Sequence, residues 1–302
     1  ASALSIAIRA ARVPLVALVL WAVLGVVAPL AMARYDSYLI NAGPGFVCPR
    51  FPAGANVAGL PRNFRTCGAP LEVLYEQPLP VLIADAGLRS AALLVGAAII
   101  ALTLGVFIGA VAGAVRRRAF ASGAMLAATG LTASIPSFFV AYFLQIAVIV
   151  FGANQVTGTR FLPVYGFGYD EHIVLPLLAV AIPAVAVTAQ LTATRVSDVL
   201  EAEFITTANA KGLMQTWIMR VHVLPHALPV ALEGLGSGLR ISVASLPIVE
   251  YIFQWQGIGY VALQSIASRD PAALTASAMV LVTLFAVLSF IADIGRPRFV
   301  YR

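Results

Sequence analysis

Six stretches of the chain stay apolar over about the 20 residues that a helix needs to cross a hydrocarbon core. They run over 13–33, 88–115, 125–151, 173–194, 224–253 and 273–294. Inside a bilayer no water is present to satisfy backbone amides and carbonyls, so stretches of this kind have to be helical. The fold class expected is therefore an all-α membrane protein with six transmembrane helices. Composition agrees, since 61% of the residues are hydrophobic and 11% are charged. A soluble domain carries roughly a quarter of its residues as charges. The net charge of +6 comes from basic residues scattered at the ends of the apolar stretches. That distribution suits lipid headgroups and topology, and gives no basic face of the kind that binds nucleic acid.

Orientation follows from the positive residues. With six spans and both termini on one side, the segments on that side collect Arg9, Arg12, Arg116, Arg117, Arg118, Arg195, Lys211, Arg220, Arg296, Arg298 and Arg302. The two short loops opposite hold Arg160 and Arg269, and short loops are the ones that count. Both termini are expected to face the cytoplasm, with the chain multi-pass in the membrane. The first stretch is longer than the 7–15-residue apolar core of a cleavable signal peptide, which favours a retained span. A start at Ala1 rather than Met is expected to reflect trimming.

Three regions result: an N-terminal span at 1–33, an external cap loop at 34–87, and a core of five spans at 88–302 with a cytoplasmic loop at 195–223. The cap loop is rich in Gly and Pro and holds both cysteines, Cys48 and Cys67. A disulfide between them would close a loop of about 20 residues, stabilising it by roughly 3 kcal/mol on the chain-entropy picture. In the second span Gly105, Gly109 and Gly113 recur every four residues, a small stripe that admits a close helix neighbour. Pro136 in the third span and Pro183 in the fourth are each expected to kink a helix, because proline removes one backbone donor.

The loop at 195–223 is polar where its surroundings are not. Leu200, Phe204 and Ala208 recur every four positions, as on one helix face, and Gly212 is placed to end that helix. A second amphipathic run, 213–221, follows. Within this loop the run Glu203-Phe204-Ile205-Thr206-Thr207-Ala208-Asn209-Ala210-Lys211-Gly212, followed after twelve residues by Leu224-Pro225, resembles the coupling-loop motif of binding-protein-dependent ABC importer permeases. The match is closest to the branch that carries dipeptides, oligopeptides and nickel. Ser134-Ile135-Pro136-Ser137-Phe138-Phe139 and Leu162-Pro163-Val164 with Gly166 and Gly168 are similar to segments of the same branch. So are Val249-Glu250-Tyr251-Ile252-Phe253-Gln254-Trp255-Gln256-Gly257-Ile258-Gly259, Arg269-Asp270 and Pro297-Arg298. His222 stands where that family has an aliphatic residue, and Gln256 where it has proline. The resemblance covers roughly residues 75–302.

What the resemblance implies is a type I importer permease translocating peptides, with a coupling helix seated in a groove of an ATPase. The apolar face around Phe204 and Ala208 would bind there. Glu201, Glu203 and Lys211 would orient the contact, and Thr206, Thr207, Gly212, Leu224 and Pro225 would complete the element. The implied partners are a second homologous permease, two cytoplasmic ATP-binding subunits, an external substrate-binding protein and membrane lipid. This chain would need no cofactor, the ATP and Mg residing in the partner ATPases. A phosphate-binding loop requires Gly-Lys-Ser/Thr, whereas the sole lysine, Lys211, sits between Ala210 and Gly212. No nucleophile–base or paired-carboxylate constellation is evident, so an enzymatic role is not expected.

Charges within spans are functional candidates by default. Glu233 and Arg240 lie seven residues apart, on nearly one helix face, and with Glu250 and Pro136 they are candidates for the substrate pathway; for the first two, pairing with a partner subunit or snorkelling toward the polar layers are the alternatives. Gly234, Gly236 and Gly238 surround the first pair. His222 and His226 lack a third ligand nearby and are read as structural. The rival reading is an ion-coupled secondary transporter of a small polar solute, which would show inverted repeats and intramembrane carboxylates. No repeat is visible here, and a coupling motif has no task in such a protein.

Overall fold

The structure, a computed structural model, describes residues 77–115, 135–151, 162–268 and 270–295, with side chains to Phe290, and a few isolated positions such as Leu71, Tyr75 and Gly130. Every regular element among the described residues is helical. Cys48, Cys67 and most of the first expected span lie outside them.

In chain order α1 covers Leu79–Ala114 and α2 covers Ser137–Phe151. A single 3₁₀ turn, Glu171–Ile173, opens α3 at Val174–Leu200. The short α4 is Glu203–Ala210 and the long α5 is Leu224–Phe253. Finally α6 is Ile258–Ser268 and α7 is Pro271–Gly295. Among the described residues three helices are both long and apolar enough to cross a membrane: Leu79–Ala114, the stretch Glu171–Leu200, and Pro271–Phe290. Helix α5 has the length, at 30 residues, but carries Glu233, Arg240 and Glu250.

Three expectations change. Helix α1 starts at Leu79 rather than 88, because Asp85 and Arg89 end the apolar run without ending the helix. In the third expected span, among the described residues, the helix is interrupted at Ile135-Pro136: the Ile135 amide still donates to the Leu131 carbonyl at 3.2 Å, and α2 begins at Ser137, with the Pro136 carbonyl accepting from Phe139 at 2.9 Å and Val140 at 3.4 Å. Proline disfavours helical geometry in the residue before it and has no N–H to donate, so a start just after it is the local optimum. Pro183, by contrast, does sit inside α3. The short helix α6 has no counterpart among the expected spans.

By its contacts the chain divides into two compact units, 1–92 with 254–286 and 93–253 with 287–302. In the larger unit α3 is the central element. A Cβ added at Gly105 would lie 2.8 Å from Cβ of Thr188, one at Gly109 would lie 2.6 Å from the Ala189 carbonyl oxygen, and one at Gly113 2.7 Å from that of Ala193. The glycine stripe of α1 therefore lies directly on the α3 backbone. From another side Gly234 and Gly238 of α5 do the same, a Cβ at Gly238 reaching 2.5 Å from Cα of Ala184. In lipid, where apolar surface gains little by meeting apolar surface, such van der Waals contact and interhelical hydrogen bonds hold spans together. Such bonds are present: the buried Ser242 hydroxyl of α5 donates to the Val180 carbonyl of α3 at 2.7 Å. Thr188 and Thr192, also buried, donate to carbonyls four residues back, so their hydroxyls cost nothing in hydrogen bonds. The Gln145 amide of α2 donates to the carbonyls of Val164 and Ile252, at 3.2 and 3.0 Å, which fixes the end of α5 and the segment before α3.

In the smaller unit Leu82 and Ala86 pack with Ile258 and Val261 of α6, Ala273 of α7 and Leu71. Asp270 caps α7: its Oδ1 accepts from the Ala273 amide at 3.0 Å, with Pro271 at the first helical position. Ser90 receives the Ile258 amide at 2.7 Å. Arg89 donates to both the carbonyl and the side-chain oxygen of Gln256, at 3.3 and 3.2 Å, so the residue standing in place of the family's proline is held by a guanidinium.

Candidate functional site

The projection between α3 and α5 is built from a break, a short helix and a cap. Helix α3 ends at Leu200, and Ala202 takes an extended conformation (φ −70°, ψ 146°), which resets the helical phase before α4. At the far end the Leu213 amide donates back to the Ala208 carbonyl at 3.3 Å and the Gly212 amide to Asn209 at 2.9 Å. That pair of bonds is a Schellman cap, which requires a left-handed residue, and Gly212 supplies it with φ +75°. The Gln215 side chain then donates to Asn209 Oδ1 at 2.7 Å, tying the outgoing chain to α4.

From Gln215 onward helical conformation is unbroken to Phe253. A turn at Gln215–Trp217 leads through a π-helical segment, Ile218–Val223, straight into α5. In a regular helix the ring of Pro225 would meet the carbonyl of Val221, and a wide turn just before it relieves that clash. Leu224 is half-buried and Pro225 exposed. His226 Nδ1 donates to the His222 carbonyl at 2.7 Å, which gives this histidine pair a structural role.

The projection has its own apolar core: Val196 and Val199 of α3, Ile205 and Ala208 of α4, Ile218 and Val223 of the π-segment, and Ala227 of α5. Ala208, expected on the partner-binding face, is thus turned inward. The row Leu200, Phe204, Ala208 does not form one face because the extended Ala202 interrupts it. Phe204 itself is 45% exposed and lies beside His226, ring centroids 5.7 Å apart. Glu201, Glu203, Thr206, Thr207, Lys211 and Gly212 are all exposed, the Thr207 hydroxyl donating to the Glu203 carbonyl at 3.2 Å. Sequence reasoning named no residue just beyond Gly212. There Met214 is 74% and Trp217 57% exposed, with Leu213 beside them. The available signal was the amphipathic run 213–221, which turns Ile218 into the core and leaves Leu213, Met214, Trp217 and Val221 outside.

A second set of residues lies along α5. Its packed side carries Gly234, Gly238, Ser242, Leu246 and Val249, all buried. Ile241, Ala244, Ile248 and Tyr251 mark the open side. Glu233 and Arg240 are half-buried and fall on that open side, about 10 Å apart along the axis. Arg240 donates to the Ser237 hydroxyl at 2.9 Å. Glu250 does not join them: it is fully buried, on the packed side. Pro136 is exposed at the break before α2. Among the described residues no cluster of His, Cys, Asp or Glu could hold a metal ion.

Comparison with known proteins agrees with this arrangement. The model of the family "binding-protein-dependent transport system inner membrane component" matches residues 105–300. That is well over half of the chain, which belongs to this family. The glutathione transport system permease protein GsiC of Salmonella typhimurium is 28% identical over 173 residues, 57% of this chain and 53% of the relative. GsiC of Escherichia coli K12 is 28% identical over 133 residues, 44% of each. The chain thus spans about half the length of the curated relatives it matches. Among solved structures, inward-facing conformations of the MetNI methionine ABC transporter align with a TM-score of 0.57 at 18% identity, covering 72% of this chain and 95% of the other. That likeness shows a type I importer permease fold.

Proposed function

We propose that this chain is one half of the translocation pathway of an ATP-driven importer in the bacterial cytoplasmic membrane, with six spans and both termini cytoplasmic. The observation that carries the reading is the projection: a capped short helix with its own core, tied by a four-residue turn to a helix that runs from Gln215 to Phe253 and bears charges. A soluble loop has no need of such rigidity, whereas an element that transmits motion from a partner does. The projection exposes Phe204, Leu213, Met214 and Trp217 together with Glu201, Glu203 and Lys211, the mixture of apolar and aromatic anchors and charges that an interface uses. Two cytoplasmic ATPases would dock there, one on this chain and one on a second, related permease. An external substrate-binding protein would deliver cargo from the other side. This chain does no hydrolysis; the partners bind ATP and Mg.

The cargo in this reading is a di- or oligopeptide. The segments similar to the peptide branch support it, as do the curated relatives named for glutathione, itself a short peptide derivative. The test is uptake of a labelled short peptide by vesicles holding the assembled complex, with ATP inside the cytoplasmic compartment and no ion gradient. Uptake that needs ATP, and falls at least tenfold in Trp217→Ala with Met214→Ala while the complex is still inserted and folded, is the expected result. Uptake driven by a proton or sodium gradient without ATP would sink the proposal.

A further inference from the structure

The open side of α5 carries a cation whose surroundings do not account for it. Arg240 lies 16 residues into a 30-residue helix, midway along the element that has to cross the bilayer. A guanidinium at that depth is expensive to keep and is normally paired with an anion or turned to water. Among the described residues its one hydrogen-bond partner is the neutral Ser237 hydroxyl. That leaves most of its five N–H donors for something else. Glu250 is about 15 Å along the axis and on the packed side, and Glu233 sits about 10 Å the other way. Neither spacing permits a direct ion pair within a straight helix, where partners stand three or four residues apart.

We propose that Arg240 is the anion-reading residue of the pathway and takes a carboxylate group of the cargo. The geometry fits the group: a guanidinium binds a carboxylate through two parallel N–H bonds, and a nearby Ser237 hydroxyl can hold the fork in place. Ile241, Ala244 and Ile248 on the same side make the wall around it apolar, which strengthens an ionic contact once water is displaced. The cargo class is then a small molecule with a free carboxylate, and amidation of that carboxylate removes its recognition. This inference rests on the reading of the chain as a pathway-forming subunit.

The test uses the assembled complex in membrane vesicles with Ala244→Cys, one turn beyond Arg240 on the open side. Its modification by an anionic and a cationic methanethiosulfonate is compared, and the complex without the added cysteine corrects for Cys48 and Cys67. The anionic reagent is expected to gain about tenfold in relative rate from the neighbouring guanidinium, and Arg240→Gln to abolish that gain. Arg240→Lys, keeping the charge, retains most of it. Millimolar Ala-Ala or glutathione slows the modification, and Ala-Ala amide does not. No modification at all would mean that this face is sealed by protein or lipid, which overturns the proposal. So would a reagent preference unchanged by Arg240→Gln, or free acid and amide protecting equally. A complex lacking ATP-driven uptake but showing the Arg240-dependent preference and protection would refute the importer reading while leaving the carboxylate site standing.

Discussion

Where α1 crosses α3, glycine is required by what surrounds it; in the turn after α4, glycine is required by its own backbone. At Gly109 a single added carbon would stand 2.6 Å from both the Ala189 carbonyl oxygen and Cβ of Thr192. At Gly212 nothing lies within 4 Å of the same added carbon, yet φ is +75°. The first region is defined by contact and the second by conformation, and the two tolerate different substitutions for that reason. A residue type alone does not reveal which constraint applies. The spacing of Gly105, Gly109 and Gly113 and the position of Gly212 after an eight-residue helix do.

The comparison can be broken most sharply at Gly109. Gly109→Val forces two extra methyl groups into the α3 backbone and is expected to destabilise the protein by about 3 kcal/mol. Thermal unfolding of the purified complex in detergent reads this, and a Tm within 1–2 °C of the parent would show that the helices separate freely. In the other region Gly212→Ala is expected to cost about 1–2 kcal/mol, confined to the projection. Hydrogen exchange over 203–214 should rise while α3 is unchanged. Gly212→Asn should behave nearly as the parent, since asparagine tolerates the left-handed region; equal damage from both would mean that side-chain space, not backbone angle, is limiting.

A third position extends the conformational half to a residue that is not glycine. Gln254, just past α5, has φ 55°. Gln254→Gly is expected to raise stability by about 1 kcal/mol, provided its exposed side chain makes no contribution of its own. A fall in Tm would show that the side chain is bound in the assembled complex. The smallest effect belongs to the segment before α3, where Asp170 accepts from both the ring and the amide of His172, at 2.7 and 3.2 Å. The histidine's hydrogen bonds hold the Asp170 carboxyl below its ordinary value of 3.8. With a lowered folded-state pKa, its contribution is complete above about pH 4 and is lost as the pH falls below that. The Asp170→Asn variant should therefore lose a slight acid sensitivity of the 162–173 segment, visible as a protection factor of the His172 amide that stays constant with pH once intrinsic exchange is divided out. Persistence of the full acid response would assign it elsewhere.

Much of this was legible beforehand. The apolar runs located α3 and α7 to within a few residues, except for α3's continuation from 194 to Leu200, and Gly212 ended its helix as its position suggested. Periodicity failed where it was counted across a break. Leu200, Phe204 and Ala208 share a spacing but not a helix, because Ala202 is extended, and Ile205 takes the inward place instead. At Pro136 the expected interruption is present, with a helical bond from Ile135 to Leu131 before it and α2 starting just after it. Glu233 and Arg240 share the face that their spacing implies. Glu250, ten residues past Arg240, falls about 80° round the helix from it, so its separation was legible in the spacing as well.

The helical run from Gln215 to Phe253 is held unevenly along its length. Gly234 and Gly238 seat its middle on α3, Ser242 is bonded to the same helix, and Gln145 holds its Ile252 end. Trp217 lies about 25 Å beyond Gly234, and between them Pro229 removes one backbone hydrogen bond. A load applied at Trp217 would therefore bend the run first at Pro229, with Arg240 inside the clamped length.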